Sequence, residues 1–299
     1  MKFKDGVRRI WKERICWAMM GPYLFCYLFT ILIPAIAAIA LSFTYFNMFQ
    51  PMEFVGVDNY IGLFLNDDVF MKALTNTLVF AVITGPVSYL LCFLLAWIIN
   101  DMPPKVRSVV TLVFYAPSIA GTAYVIWKII LSPDAYGLLN GWLLKLGLIQ
   151  EPILWFSDPD LALWLLIVVQ LWLSLGVGFL AFIAGLQNVD KALLEAGSID
   201  GIRNRFQELW YITLPSMKPM LLFGAVTQIT ASFSVGAISM DLCGFPSIEY
   251  SAHTLLLHAI DYGSLRFEMG YAAAVNVVLF ALILFTYKLA TLALSRVGK

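Results

Sequence analysis

Residues 161–189 read LALWLLIVVQLWLSLGVGFLAFIAGLQNV and contain no Asp, Glu, Lys or Arg. The polar residues 190–216, DKALLEAGSIDGIRNRFQELWYITLPS, follow them and lead into a second apolar stretch. Roughly 20 apolar residues in a helix are enough to cross a hydrocarbon core of about 30 Å. This alternation predicts two membrane-spanning helices joined by a polar loop.

The composition of the whole chain indicates the same fold class. Hydrophobic residues make up 61% of the 299 residues and charged residues 13%, against roughly 45–50% and about 25% in soluble domains. The alternating, weakly hydrophobic segments of a transmembrane barrel are absent, so the backbone must be satisfied inside helices. The sequence therefore predicts an all-α integral membrane protein. Its six predicted spans are residues 15–43, 73–99, 109–127, 161–189, 220–240 and 271–287.

The basic residues predict the orientation of these spans. Fifteen of the 19 fall on one side of the membrane, and only Lys72, Lys128, Lys145 and Arg266 fall on the other. Cytoplasmic segments carry the excess of Lys and Arg, so both termini and residues 190–216 are expected in the cytoplasm. The expected location is a multi-pass position in the lipid bilayer of a bacterial-type cytoplasmic membrane. No patch suited to nucleic acid is visible.

The predicted domain organisation is a cytoplasmic segment at residues 1–14 followed by one membrane domain at 15–299. Each stretch outside the membrane is shorter than a domain of about 50 residues. Catalytic motifs such as GxSxG and HExxH are absent, so no catalytic residues are expected and the chain is not predicted to be an enzyme. His253 and His258 lie in an outer segment without a third ligand or a close carboxylate, so no metal site is expected.

The polar loop carries the signals of two short helices. Asp190 is a good N-cap for a helix over residues 191–200, and Gly201 is a good stop. Asn204 followed by Gln207 indicates a second helix start, which Pro215 is expected to end.

One face of the first helix suits contact with a partner. Ala196 and Gly197 are small enough to let another surface approach closely, while Glu195 and Asp200 offer charge. A solvated amphipathic loop between two spans would show the same charge pattern, and the residues alone leave both interpretations open.

The loop resembles the EAA loop of ATP-binding-cassette (ABC) importer permeases. In that family the pattern is Glu-Ala-Ala, three residues, Gly, and a stretch ending in Ile-x-Leu-Pro. The matching residues are Glu195, Ala196, Gly201, Ile212, Leu214 and Pro215. Gly197 replaces the usual third Ala, Ile202 stands where a small residue usually follows the Gly, and the stretch before Pro215 is one residue longer than usual.

The resemblance extends along nearly the whole chain and is closest to the carbohydrate importers. The segments similar to sugar permeases are GVDNY at 56–60, ALTNTL at 73–78, LGL at 146–148, Asp158-Pro159 and GYAAA at 270–274. This resemblance implies the six-helix transmembrane domain of a type I ABC importer, with residues 190–216 as the coupling loop. The residues expected to dock the ATPase are Glu195, Ala196, Gly197, Asp200, Gly201, Leu214 and Pro215.

The resemblance also implies the partners. GxxxxGK[ST] is absent, so this chain is expected to bind no cofactor, and ATP and Mg²⁺ would be used by separate nucleotide-binding subunits. One six-span subunit supplies half of a transporter, so a second permease is implied, and the family favours a different, homologous one. An extracytoplasmic solute-binding protein would deliver the substrate.

The polar residues inside the spans suggest the substrate class. Because no ionisable side chain lies in a predicted span, a proton-coupled carrier is disfavoured. Neutral amides and hydroxyls beside aromatic rings suit a sugar, although each would equally serve as an interhelical hydrogen bond worth about 1 kcal/mol. The sequence thus predicts import of a sugar or oligosaccharide, the alternatives being a non-sugar solute or a self-sufficient carrier or channel. The predicted pathway residues are Gln170, Trp172, Ser174, Gln228, Ser232 and Asn276.

Overall fold

A computed structural model describes residues 14–295 of the chain. The predicted cytoplasmic segment 1–14 lies outside the described residues except for Arg14, and so do residues 296–299. The described part is mostly helical, and its strands are the short pair Thr44–Tyr45 and Glu53–Phe54, which run antiparallel. The predicted all-α class is confirmed.

Three helices are long and apolar enough to cross a membrane without a break. They are Ile15–Leu41, which contains the π-helical turn Leu28–Leu32, Asp68–Asn100 and Met269–Ser295. Two bent pairs reach the same length when taken together: Pro159–Leu173 with Val177–Gln187, bent by 40°, and Lys218–Phe233 with Ala237–Cys243, bent by 41°. The described residues thus provide three to five apolar spans.

The predicted span 109–127 is not a single helix. The helix Pro104–Ile119 ends at Ala120, whose backbone is extended, and Val125–Ile130 follows after a short break. Neither piece alone has the length of a span, so the number of six spans stays a prediction.

Short helical segments fill the connections between the long helices. They are Asp58–Leu65, Leu138–Lys145, Trp155–Ser157, Lys191–Ile199, Arg205–Glu208, Leu209–Thr213, Leu214–Ser216, Ile248–Tyr250, Leu255–Ile260 and Asp261–Leu265.

The chain divides into two compact units, one of residues 1–62 and 259–277 and the other of residues 63–258 and 278–299. In the first unit the turn around Thr44 brings together two segments similar to sugar permeases. Asn59 donates hydrogen bonds to the carbonyls of Ser42 and Thr44, each at 2.9 Å. A Cβ at Gly270 would lie 2.0 Å from the Thr44 carbonyl oxygen, so this close approach requires glycine.

The second unit is built around the helix Asp68–Asn100. One apolar cluster packs around Phe80 and Leu166, and another around Phe93 and Phe182. Small residues let the helices approach closely, as is common in membranes.

Candidate functional site

The first helix of the coupling loop forms as the sequence predicts. It spans Lys191–Ile199, and the Asp190 carboxylate accepts a hydrogen bond from the Ala192 amide at 2.9 Å. Gly201 follows with φ of +97°, a left-handed conformation that favours glycine. The predicted N-cap and glycine stop are confirmed.

The second helix also starts as predicted. The Asn204 side chain accepts a hydrogen bond from the Gln207 amide at 2.8 Å, and the Arg203 amide donates to Gln207 Oε1 at 3.0 Å. This pair of bonds resembles a capping box, with Gln207 bonding the amide of the residue before the N-cap, and it fixes where the helix begins.

The second helix ends at Ser216, one residue after Pro215, its predicted end, but its path is not a regular α-helix. Helical turns continue from Arg205–Glu208 through a π-helical turn, Leu209–Thr213, and on to Leu214–Ser216. A π turn holds more residues than an α turn, and proline near the start of the following turn has no amide that needs a partner. The π turn lies in the stretch that is one residue longer than the family pattern, and it accommodates the additional residue.

Gly197 does not leave room for a partner, contrary to the sequence interpretation. It is buried, and a Cβ there would lie 2.3 Å from Ile212 Cδ1. The missing side chain therefore allows the two helices of the loop to pack against each other.

The outer face of the coupling loop is exposed. Glu195, Ala196 and Asp200 are exposed, whereas Leu214 and Pro215 are half-buried. Large apolar side chains accompany them and include Ile199, which is 85% exposed. These side chains form an exposed apolar patch on a polar loop. Its other exposed apolar members are Leu193, Phe206, Trp210 and Tyr211.

The end of a neighbouring helix holds the loop in place. Arg205 forms an ion pair with Asp101, and its guanidinium lies 4.8 Å from the centre of the Trp97 ring. Phe206 packs against the same ring at 5.4 Å. The sequence analysis did not identify Trp97 and Asp101 as partners of the loop. The only hint was that Asp101 is an acidic residue just after the predicted span 73–99.

Two predicted pathway residues, Gln228 and Ser174, meet in the interior. Gln228 Oε1 accepts from the Ser88 hydroxyl at 3.0 Å, and Nε2 donates to the Ser174 carbonyl at 3.0 Å and to Cys92 Sγ at 3.1 Å. The Ser174 carbonyl lies at the bend between Pro159–Leu173 and Val177–Gln187. Gln228 therefore joins three helices, and the sequence analysis did not identify Ser88 or Cys92 as its partners.

Gln170 and Trp172 lie one turn before this bend. Gln170 is 8% exposed and makes no hydrogen bond to a described residue. Trp172 is half-buried, and its ring meets that of Trp127 edge-on at 5.8 Å. The Trp127 Nε1 atom is itself buried without a hydrogen-bond partner among the described residues.

The other two predicted pathway residues differ from one another. Ser232 is buried and its hydroxyl donates to the Ile229 carbonyl at 2.8 Å. Asn276 is exposed and belongs to the unit of residues 1–62 and 259–277.

The two histidines are buried, and one has a carboxylate close by. His258 Nε2 lies 3.1 Å from Asp67 Oδ2, so the expectation of no close carboxylate was wrong. The rings of His253 and His258 lie 5.6 Å apart. Among residues 14–295, no group of three or more His, Cys, Asp or Glu side chains is placed to hold a metal ion.

The known proteins that this chain resembles are of one kind. No family model matches the chain. It is 31% identical to the probable ABC transporter permease protein YesP of Bacillus subtilis, with 92% of this chain and 89% of that protein covered. It is 32% identical to the arabinooligosaccharides transport system permease protein AraP of Bacillus subtilis, with 91% and 86% covered. The lactose transport system permease protein LacF of Rhizobium radiobacter is 30% identical, with 71% and 70% covered.

The fold matches a solved transporter along its full length. A chain in the crystal structure of a bacterial ABC transporter involved in the import of the acidic polysaccharide alginate superposes with a TM-score of 0.78. The match covers 100% of both chains at 22% sequence identity, so it establishes the fold alone. From the relatives and this fold together, the chain belongs to the permease family of carbohydrate ABC importers.

Proposed function

We propose that this chain is a membrane-spanning subunit of an ATP-driven, binding-protein-dependent importer, and that it helps to move a sugar or oligosaccharide across the cytoplasmic membrane. The observation that carries the proposal is similarity over nearly the whole chain to a permease of arabino-oligosaccharides, and over most of it to a permease of lactose. The fully formed coupling loop supports the same role, because an importer without its own ATP site needs a surface that receives the ATPase.

In this proposal the exposed face of the coupling loop contacts a nucleotide-binding subunit, which uses ATP and Mg²⁺. Glu195 and Asp200 supply charge beside Ala196, and Ile199 supplies an exposed apolar anchor. Gly197, Gly201, Leu214 and Pro215 act indirectly, because they set the geometry of the two helices. The capped helices support this assignment, since a preformed surface loses less conformational entropy on binding.

The assembly would contain a second, homologous permease and an extracytoplasmic solute-binding protein. A structure of the alginate transporter in complex with its periplasmic protein supports the last partner, since this chain has the same fold. We further propose six spans with both termini in the cytoplasm. The predicted third span would then be formed by Pro104–Ile119 and Val125–Ile130 together.

The substrate route would pass the bend near Gln170. The amide of this largely buried residue has unused hydrogen-bonding capacity beside the ring of Trp172, which suits a sugar's hydroxyls and its apolar ring face. Ser174, Gln228 and Ser232 are engaged with the chain itself, so they would shape the route more than contact the sugar. Asn276 remains a proposed route residue on the exposed part of its helix.

The test is ATP hydrolysis by the complex that co-purifies with this chain, reconstituted in vesicles with its binding protein. Neutral mono- and oligosaccharides, amino acids and inorganic anions would be added separately. We expect stimulation by a sugar only. Stimulation by an amino acid or anion with sugars inert would replace the substrate and keep the importer, whereas nucleotide-independent transport by this chain alone would establish a carrier or channel.

A further inference from the structure

A groove of about 400 Å³ lies between the helices Pro104–Ile119 and Val177–Gln187, and neither Gln170 nor the exposed residues of the coupling loop line it. One wall is a single face of the first helix, with residues three or four positions apart. The other wall carries Ile183 and Gln187, one turn apart. The polar lining residues are Arg107, Ser108, Thr111, Tyr115 and Gln187.

Arg107 brings a positive charge to this groove without a matching carboxylate. Its guanidinium donates to the Asn100 carbonyl at 3.2 Å and forms no ion pair with a described residue. The nearest acid in sequence, Asp101, is paired with Arg205. We therefore take the remaining Arg107 donors to be available to an anion.

The Thr111 hydroxyl points to the same conclusion. Threonine hydroxyls in helices commonly bond the carbonyl four residues earlier, as Thr77, Thr84 and Thr230 do here. Thr111 Oγ1 is buried and has no such partner among the described residues. Leaving a buried hydroxyl without a partner costs roughly 1–3 kcal/mol, so a ligand that bonds it would recover that free energy.

The surface beside the groove is apolar. Leu112, which lines the groove, and Ile119, two turns further along the same helix, are each 61% exposed. No charged residue occurs between Arg107 and Lys128. A ligand that combines an anionic head with a hydrocarbon tail matches both parts of this surface.

We propose that the groove binds the headgroup of an anionic phospholipid, with the phosphate at Arg107 and Thr111 and an acyl chain along Leu112 and Ile119. Basic pockets between membrane helices on the cytoplasmic side are suited to such headgroups. Arg107 lies one turn inside the start of its helix, and Tyr115 lies about 12 Å further along it. An apolar helix of a second permease in this groove would leave Arg107 without an anionic partner and Thr111 without any partner, which disfavours that occupant.

The experiment uses the purified complex in detergent, stripped of lipid and titrated with phosphatidylglycerol or phosphatidylcholine. Native mass spectrometry counts the lipids that remain bound. We expect preferential retention of phosphatidylglycerol by the wild-type protein. Arg107→Gln should weaken this retention roughly tenfold, since a hydrogen bond to a charged group contributes about 1.5–3 kcal/mol.

Thr111→Val serves as a second variant that keeps the size of the side chain and removes the hydroxyl. It should weaken retention by a smaller factor. Lys105→Gln is the matched control, because it removes the same charge from the same helix at an exposed position that does not line the groove. It should retain the lipid as the wild type does.

Three results would overturn the proposal. Equal retention by the wild type, Arg107→Gln and Thr111→Val would show that the lipid binds elsewhere. Displacement of phosphatidylglycerol by glycerol phosphate at millimolar concentration would assign the groove to a soluble phosphate ester. Displacement by an acidic oligosaccharide would assign it to the route of the transported solute.

Discussion

At the scale of single residues, two buried glutamines in the second unit differ in the hydrogen bonds they make. Gln228 uses both ends of its amide to join the helices that carry Ser88, Ser174 and Cys92. Gln170, at similar burial, uses neither end among the described residues. Two chemically identical side chains are therefore expected to respond differently to substitution.

Replacing Gln228 with Met should destabilise the protein. The change keeps the approximate volume and leaves the Ser174 carbonyl without this donor, at a cost of about 1–3 kcal/mol. The measurement is the midpoint of thermal unfolding in detergent. Thr230→Val is the control, since that exposed hydroxyl bonds only to its own helix. An unchanged midpoint together with lost uptake would instead place Gln228 on the solute route.

Replacing Gln170 with Leu should leave thermal stability unchanged and weaken uptake. The Gln170 amide makes no hydrogen bond to a described residue, so its loss should not lower the stability. A sugar hydroxyl would lose its hydrogen-bond partner, which should reduce uptake at low sugar concentration roughly tenfold. The measurement is sugar-stimulated uptake in vesicles alongside thermal unfolding. Full uptake by Gln170→Leu would remove this residue from the route.

At the scale of elements, the coupling loop is a small unit with three fixed points. Gly201 forms the turn between the two helices, and Gly197 allows contact with Ile212. The π turn Leu209–Thr213 leads into the short turn that contains Pro215. The loop is therefore sensitive to changes that leave its outer face untouched.

Replacing Gly201 with Val should weaken association with the ATPase. A β-branched residue in the left-handed region costs about 1 kcal/mol or more, so the turn would open. Gly147→Val is the matched control, because Gly147 also has positive φ and nothing within 4 Å of a Cβ, but lies in a different loop. Co-purification of the ATPase should fall for the first variant only. An equal yield from both would show that the Gly201 turn is not needed for docking.

Replacing Gly197 with Ala should separate the two helices of the loop, although Ala is usual in the family at this position. The added methyl would collide with Ile212, and such overpacking costs roughly 1–3 kcal/mol. Ile212→Val removes the colliding atom, so the double variant should regain ATPase association. If Gly197→Ala alone associates normally, the contact is easily rearranged.

The coupling loop also shows what the sequence can and cannot predict. Asp190, Asn204 and Gly201 were predicted correctly because their roles depend on neighbours within four residues. The end of the second helix near Pro215 was also predicted, whereas the π turn Leu209–Thr213 was not, since it depends on how the additional residue is packed. Pairs such as Asp67 with His258 and Asp101 with Arg205 are far apart in sequence, and only the folded chain brings them together.

At the scale of the whole molecule, the helix Asp68–Asn100 connects two loop regions of the second unit. Near its start, Asn76 donates to the carbonyls of Tyr250 and His253 at 3.0 and 2.9 Å. Near its end, Trp97 packs against Phe206 of the coupling loop. Its 33 residues correspond to about 50 Å of continuous helix.

The helix runs through Pro86 without a break, has a loop held at each end and is expected to act as a strut between them. Thermodynamic linkage then constrains the transporter. If ATP binding on one side alters the affinity for the solute-binding protein on the other, that protein must alter the affinity for ATP by the same factor. Asn76→Ala removes the side chain that holds one end of the strut. Both affinities are measured in the wild type and in this variant, and we expect the coupling factor to be smaller in the variant and equal in the two directions. Because one helix contacts both loops, we expect a change at either end to reach the other.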